Sequence, residues 1–236
     1  MEIPGCFVPV FRPSRRNVAE GIVLAAAFLL CMLPLRAADP ATVSFSLNFP
    51  GSDPERYSIS VTEDGHGRYE SSSKISQDSE DRDEYHSEFT FSDATRRRIF
   101  DLAAQAHYFS GKIDSGNRKL AFTGSKKLTY VDGQRNTTAE FNFSPMPPIQ
   151  QLTTLFQSVA ATLEFGRRLE YDHHYQKLAL DDQLKRMEDL ARRNELAEIQ
   201  AVKPILQRIY DDPSVLNVVR ARAQRIMEMN PNPHAP

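Results

Sequence analysis

Cysteine is nearly absent from this 236-residue chain, and its two copies, Cys6 and Cys31, both lie ahead of residue 32. The remainder has no disulfide framework, no thiol nucleophile and no zinc–thiolate site. Its stability must come from an ordinary core. Tryptophan is missing, and glycine is sparse at 10 residues. No glycine-rich phosphate loop and no Gly-x-Ser-x-Gly elbow can be found. Neither sign of charge dominates. The 29 basic and 31 acidic side chains give a net charge of −2. Nucleic-acid binders carry a clear basic excess, so that class of partner is set aside. Long apolar runs are scarce too. Ile22–Leu33 spans 12 residues, whereas a membrane-spanning helix needs about 20.

That short run nevertheless has a context. Arg12, Arg15 and Arg16 precede it, Pro34 breaks it, and Leu35-Arg36-Ala37 offers a small-residue cleavage site. The order predicts a signal peptide over residues 1–37 and an exported, periplasmic or extracellular protein. An uncleaved anchor at residues 21–35 is the alternative, and the arginines would hold the N-terminus in the cytoplasm either way. Ser14-Arg15-Arg16-Asn17-Val18 is similar to the twin-arginine export motif, and an ordinary basic leader is the plainer reading. Phe28-Leu29-Leu30-Cys31 is a poor lipoprotein box because Leu30 replaces the required small residue. Cleavage after Ala37 would leave 199 residues with a net charge of −4, enough for one domain or two small ones.

Two regimes follow the leader. Residues 38–148 alternate with period two. Val43, Phe45, Leu47 and Phe49 mark one strand, and Tyr57, Ile59 and Val61 a second. Asp64-Gly65-His66-Gly67 reads as a turn before a third strand at Arg68-Tyr69-Glu70. Tyr85, Ser87, Phe89 and Phe91 give a fourth. Ser92 can cap a helix carrying Ile99, Phe100, Leu102, Ala103 and Ala106, ending near His107. Leu128 and Tyr130, then Asp132-Gly133, then Thr137, Ala139, Phe141 and Phe143 predict a hairpin. Pro145, Pro147 and Pro148 close the sheet region. Residues 149–229 are helical. One stripe is Ile149, Leu152, Phe156, Val159 and Leu163, and a later one is Leu180, Leu184, Met187 and Ala191. Four acid–base pairs at four-residue spacing, from Asp181–Lys185 to Asp189–Arg193, support the second. Asn194 is a break or cap, Pro204 limits or kinks the next helix, and Asp212-Pro213 predicts the start of the last. Residues 230–236, with three prolines, predict a disordered tail. The expected class is α+β, an antiparallel four-strand meander plus hairpin packed by helices, with a helical C-terminal extension.

This order resembles an uncharacterised family of small secreted bacterial domains over roughly residues 43–165. The residues that carry the resemblance are Tyr57-Ser-Ile-Ser-Val-Thr-Glu-Asp-Gly-His-Gly-Arg-Tyr69, Ile99-Phe-Asp-Leu through Tyr108-Phe109, and Leu128-Thr-Tyr-Val-Asp-Gly-Gln134. The family has no established activity, so the resemblance implies architecture only.

Chemistry-bearing residues concentrate in Glu170-Tyr171-Asp172-His173-His174-Tyr175. On a helix Glu170 shares a face with His173 and His174. Glu-x-x-His is half of a di-iron bundle motif, but a second copy is missing. A single metal on Glu170, His174 and a distant acid is a further option, with His173 the remaining candidate ligand of the cluster. The plain reading is a polar helix surface, and a partner-binding face of Tyr171, His174 and Tyr175 stands between the two, because aromatics anchor interfaces. Residues 71–84 hold five acids but no turn glycine for calcium, and read as a solvated loop. Arg96, Arg97 and Arg98 oppose the dipole of the first helix. They are expected to pair with Asp93 and the acidic insert, or to meet an anionic lipid surface or acidic partner. Ser71-Ser-Ser-Lys74 matches Ser-x-x-Lys in letters, without the helix start that this chemistry needs. Asn136-Thr137-Thr138 is a glycosylation sequon only in a eukaryotic secretory pathway.

The expected function is therefore a non-catalytic binding or protein-interaction module outside the cytoplasmic membrane. It has an unknown protein partner and no cofactor, with membrane-surface association as a further option. Two rivals are kept. A hydrolase-type enzyme would use His107, His173 or His174 with a carboxylate, and a carrier would hold an apolar ligand between sheet and helices.

Overall fold

A computed structural model of the protein describes residues 40–74, 81–117 and 119–229. The predicted leader at 1–37, the middle of the acidic insert at 75–80 and the proline-rich tail at 230–236 lie outside the described residues. The strands are β1 (Thr42–Asn48), β2 (Arg56–Thr62), β3 (His66–Lys74), β4 (Arg82–Thr90), β5 (Ser125–Val131) and β6 (Asn136–Phe141). The helices are α1 (Asp93–Gln105), α2 (Pro147–Tyr175), α3 (Leu180–Arg192), α4 (Lys203–Asp211) and α5 (Asn217–Glu228). The class is α+β.

The meander and the hairpin form one antiparallel sheet in the order β4-β3-β2-β1-β5-β6, because β5 pairs with the free edge of β1. Period-two alternation puts one set of side chains on a single face. Across the sheet that face reads Ser87, Tyr69, Ile59, Phe45, Leu128 and Ala139 in one row. Phe45 stacks flat on Phe156 of α2, with ring centroids 5.4 Å apart. The opposite face carries Ser44, Ser46, Ser58 and Ser60. A neighbouring row contains Gly67 between Val61 and Phe89. A Cβ there would lie 2.8 Å from the Phe91 ring. The expected four-residue turn is therefore shorter than the pattern suggests. His66 and Gly67 already belong to β3, and Phe91, buried just beyond β4, fills the gap.

The first helix is capped as expected, with Ser92 Oγ accepting from the Thr95 amide. It has a second cap from far along the chain. The buried Glu198 carboxylate accepts from the Ser92 amide and hydroxyl, both at 2.8 Å. An anion at that end complements the helix dipole. Beyond α1 the chain reverses hand, since His107, Tyr108 and Phe109 all have positive φ. Non-glycine residues at such angles cost about 1–2 kcal/mol each. Burial of Phe109 and stacking of Tyr108 between Tyr130 and Arg135 offset this cost.

The second helix runs 29 residues, well beyond the stripe that ends at Leu163. Pro147 and Pro148 do not merely close the sheet. They occupy its first positions, where a missing N–H costs nothing. The buried stripe continues through Phe165, Gly166, Leu169 and Asp172. Gly166 allows the Val202 segment to approach, and a Cβ at 166 would lie 2.5 Å from Val202 Cγ1. In α3 the pair Glu188–Arg192 forms as expected at 2.6 Å. Glu188 is nevertheless buried and also binds Arg222 and Arg225 of α5. Asn194 adopts positive φ after α3, and Pro204 opens α4. The expected start at Asp212-Pro213 is not used. Asp212 closes α4, and α5 begins five residues later at Asn217. Among the described residues, no helix is long and apolar enough to cross a membrane.

Gly166→Ala is expected to lower stability by about 1 kcal/mol in urea unfolding. The ~1 kcal/mol gained in helix propensity is outweighed by ~2 kcal/mol of overpacking, and Val202→Ala in the same chain should restore it. Glu188→Ala should cost about 2 kcal/mol, because the largely buried Arg222 is left with Asp181 alone as counter-ion. The Arg225 hydrogen bond holds the Glu188 carboxyl below its ordinary value. Its contribution is thus full above the unfolded pKa and is lost as pH falls through the folded one. The gap between wild type and Glu188→Gln should shrink along that acid limb, as measured by urea unfolding at stepped pH.

Candidate functional site

The C-terminal turns of α2 are buried on one side and bare on the other. Beside the buried side, polar ties hold the helix end to the segment around the end of α4. Glu170 pairs with Arg208. His173 Nε2 lies 3.0 Å from Asp212 Oδ2, and Lys177 donates to the same oxygen at 2.7 Å and to Ser214 Oγ at 2.5 Å. Asp212 Oδ1 in turn accepts from the Ser214 amide and hydroxyl. These hydrogen bonds, led by Lys177 and Ser214, hold the Asp212 carboxyl well below the usual carboxylate range. Cationic and imidazole groups there also suit the negative end of the α2 dipole.

His173 thus lies beside the Asp212 carboxylate, the pairing that the hydrolase reading asked of one of its histidines, with Lys177 and Ser214 alongside. Their hydrogen bonds oppose that chemistry. A catalytic lysine or serine must be free to move a proton, but Lys177 donates to both Asp212 and Ser214. Asp212, held low, is a weak base for the Ser214 hydroxyl. The cluster works as a clamp that joins α2 to the α4–α5 connection.

The bare side carries an aromatic surface. Tyr171 and Tyr175 have ring centroids 5.0 Å apart, and His174 meets Tyr175 edge-on at 4.4 Å. Tyr171 is 54% exposed, Tyr175 68% and Leu178, just beyond, 89%. The segment tied down through Lys177 contributes two more exposed apolar side chains, Leu216 and Val218. Beside Tyr171 opens a cleft of about 380 Å³ between α2, α3 and the edge strand β4, lined in part by Asp83, Glu84, Arg167, Asp172 and Gln183. Below it the buried Glu164 accepts from Tyr69 at 2.8 Å and Ser71 at 2.7 Å. Arg167 lies 3.3 Å from Glu164 and 3.1 Å from Asp83. Burial and the neighbouring Glu164 carboxylate push the Tyr69 hydroxyl above its ordinary value. A broader hollow of about 670 Å³ lies on the serine-rich sheet face, where Arg68 and Glu70 pair with each other. The helix end is the stronger candidate because bare aromatics and unpartnered polar groups coincide there.

The residues singled out for metal do not converge. Glu170 and His173 are taken up by Arg208 and Asp212, while His174 points to Tyr175. Among the described residues, no three His, Cys, Asp or Glu side chains are placed to hold a metal ion. The three arginines of α1 find partners within the fold, although the buried Nε of Arg98 has none. Arg96 binds the Glu63 carbonyl and Asp93, Arg97 the Asp93 carbonyl, and Arg98 the Gln151 side chain. Asp93 is the expected partner, whereas the described part of the acidic insert is turned elsewhere, Asp83 to Arg167 and Arg82 to Glu55. Much of that insert is strand rather than loop. Ser71 is buried in β3, not at a helix start, so the Ser-x-x-Lys pattern has no catalytic geometry. His107 sits in the left-handed turn after α1.

Two residues have roles in the site that the sequence reading does not assign to them. Asp172 is 6% exposed, and its position was legible: Phe165, Leu169 and Asp172 extend the buried stripe at spacings of four and three. Asp212 was read as a helix cap, and its clamp role depends on contacts between distant segments.

In side-chain carbonyl NMR, Asp212 should titrate well below an ordinary aspartate. Lys177→Met and Ser214→Ala should each raise its midpoint while the fold persists. Because the folded value is the lower one, the clamp is intact above the unfolded pKa and opens only as pH falls through the folded value. No protein-family model matches the chain, and no curated protein is found to be similar to it.

Proposed function

We propose that the protein is a non-catalytic interaction module that works outside the cytoplasmic membrane and docks a partner protein at the C-terminal end of α2. The observation that carries this reading is the bare cluster of Tyr171, His174, Tyr175 and Leu178 on a helix end held by the Asp212 clamp. Aromatic side chains are enriched in interface cores. A surface already fixed in place loses little freedom on binding. The partner would present an apolar face to the tyrosines and Leu178. The arginine-flanked apolar run ahead of Ala37 supports work outside the membrane.

The test is site-specific photo-crosslinking in native cells, with the reactive group placed at Tyr175 of the full chain. One discrete protein adduct is expected there and none from the same group at Thr138 on the free sheet face. Leu178→Asp should cut the yield about tenfold, as for an interface anchor. No adduct at Tyr175, or equal adducts from both positions, would sink the assignment.

A further inference from the structure

We infer that the cleft beside Tyr171 is a pocket for a cationic side chain, a lysine or arginine of the docked partner. This inference rests on the docking surface proposed above and gives the chemistry of one anchor in it.

The argument starts from two acceptors that lack donors. Asp172 is nine-tenths buried, yet its Oδ2 has no hydrogen-bond partner. Gln183 Oε1, on α3, is buried without a partner too, and both side chains line the same 380 Å³ cleft. Buried carboxylates are ordinarily paired, because removing an unpaired charge from water is expensive. Burial accordingly raises the Asp172 carboxyl, with Arg168 opposing the shift. Both residues line the one cleft, and a nitrogen cation seated there supplies several N–H groups at once.

The basic residues of the cleft do not meet that need. Arg167 is shared between Glu164 and Asp83 and faces the Tyr85 ring. Arg168 is held at 2.8 Å by Asp53. Taken with these partners, the cleft and its floor hold the carboxylates of Asp53, Asp83, Glu84, Glu164 and Asp172 against two guanidiniums. The local field is therefore negative. Tyr171 at the rim offers a ring face to a cation, and the same ring continues into the bare aromatic patch. A partner whose apolar residues cover Tyr175 and Leu178 would bring a basic side chain to the cleft from that side.

The test uses the full folded chain with two minimal probes, N-acetyl-lysine-methylamide and methylguanidinium, and an uncharged control, N-acetyl-norleucine-methylamide. Binding is followed through the Gln183 side-chain amide and the Tyr171 ring by NMR. Saturable shifts are expected from the cations and not from the control, with affinity reduced at least about tenfold in Asp172→Asn. Asp172→Asn should also lower the Tyr175 crosslink yield by a similar factor. If neither cation gives saturable shifts, or if Asp172→Asn binds them equally well, the pocket assignment is wrong. The docking surface would still stand on its own crosslink. If the probes bind but Asp172→Asn leaves the crosslink yield unchanged, the cleft serves a free amine, and the assignment to a partner's side chain is overturned.

Discussion

The rest of the structure depends on one helix packing against two partners at once. The first half of α2 lies on the sheet, with Phe156 flat on Phe45. Its second half is met by the C-terminal helices at Gly166, where a methyl group would already strike Val202. Sheet and C-terminal helices therefore share one core cluster that runs from Val43 to Ile226. A helix fixed at both ends of its length cannot pivot. Whatever side chains it bears at its far end are presented in a defined place.

Apolar packing brings these layers together, and buried carboxylates orient them. Glu164 joins α2 to the hydroxyls of Tyr69 and Ser71 on β3. Glu188 gathers Arg192, Arg222 and Arg225 and so joins α3 to α5. Glu198 reaches the N-terminus of α1 from the segment before α4. Each is buried at a cost, and each has charged or hydrogen-bonding partners on another element that offset it. Such contacts are directional, so they favour one arrangement of layers over slipped alternatives that would leave a charge unpaired. The same logic explains the three arginines of α1. Their repulsion from the helix dipole is small, and the Glu198 carboxylate puts negative charge back at that end.

The elements set by local chemistry were legible in the sequence. Alternation gave the strand positions, the Ser92 cap gave the start of α1, and the apolar stripes gave α2 and α3, because these follow from periodicity and capping alone. What failed depends on distant contacts. Asp212-Pro213 has the letters of a helix start, but Lys177 and His173, far back in the chain, recruit the carboxylate and the helix begins later. Gly67 has the letters of a turn, but Phe91 needs its empty face. Lys126, in alternation with Leu128 and Tyr130, sits on the core face in register with Leu47 and Phe141. Its ammonium is accommodated by carbonyl oxygens of Thr123, Gly124 and Asn142, which no spacing rule reveals. The aromatic surface was legible as a cluster of residue types. That the clamp would separate Glu170 and His173 from His174 was not.

The site has a division of labour that follows from these ties. Groups that could do acid–base chemistry are spent on holding the helix end: Asp212 is ionised, Lys177 is paired with it, and Ser214 is bonded to both. The aromatic side chains Tyr171 and Tyr175 are left bare, and the buried acceptors of Asp172 and Gln183 are left without donors. A catalytic centre needs the reverse, with a poised base and a nucleophile free to move a proton. A recognition surface needs a rigid frame, exposed aromatic area and a few unsatisfied polar groups whose pairing discriminates among partners. An unpaired buried carboxylate is costly in the free protein. A partner that covers the cleft without supplying a donor leaves that cost in place, and one that supplies a donor relieves it. On the proposed docking reading, selectivity would come from that difference as much as from the contact areas of Tyr171 and Tyr175.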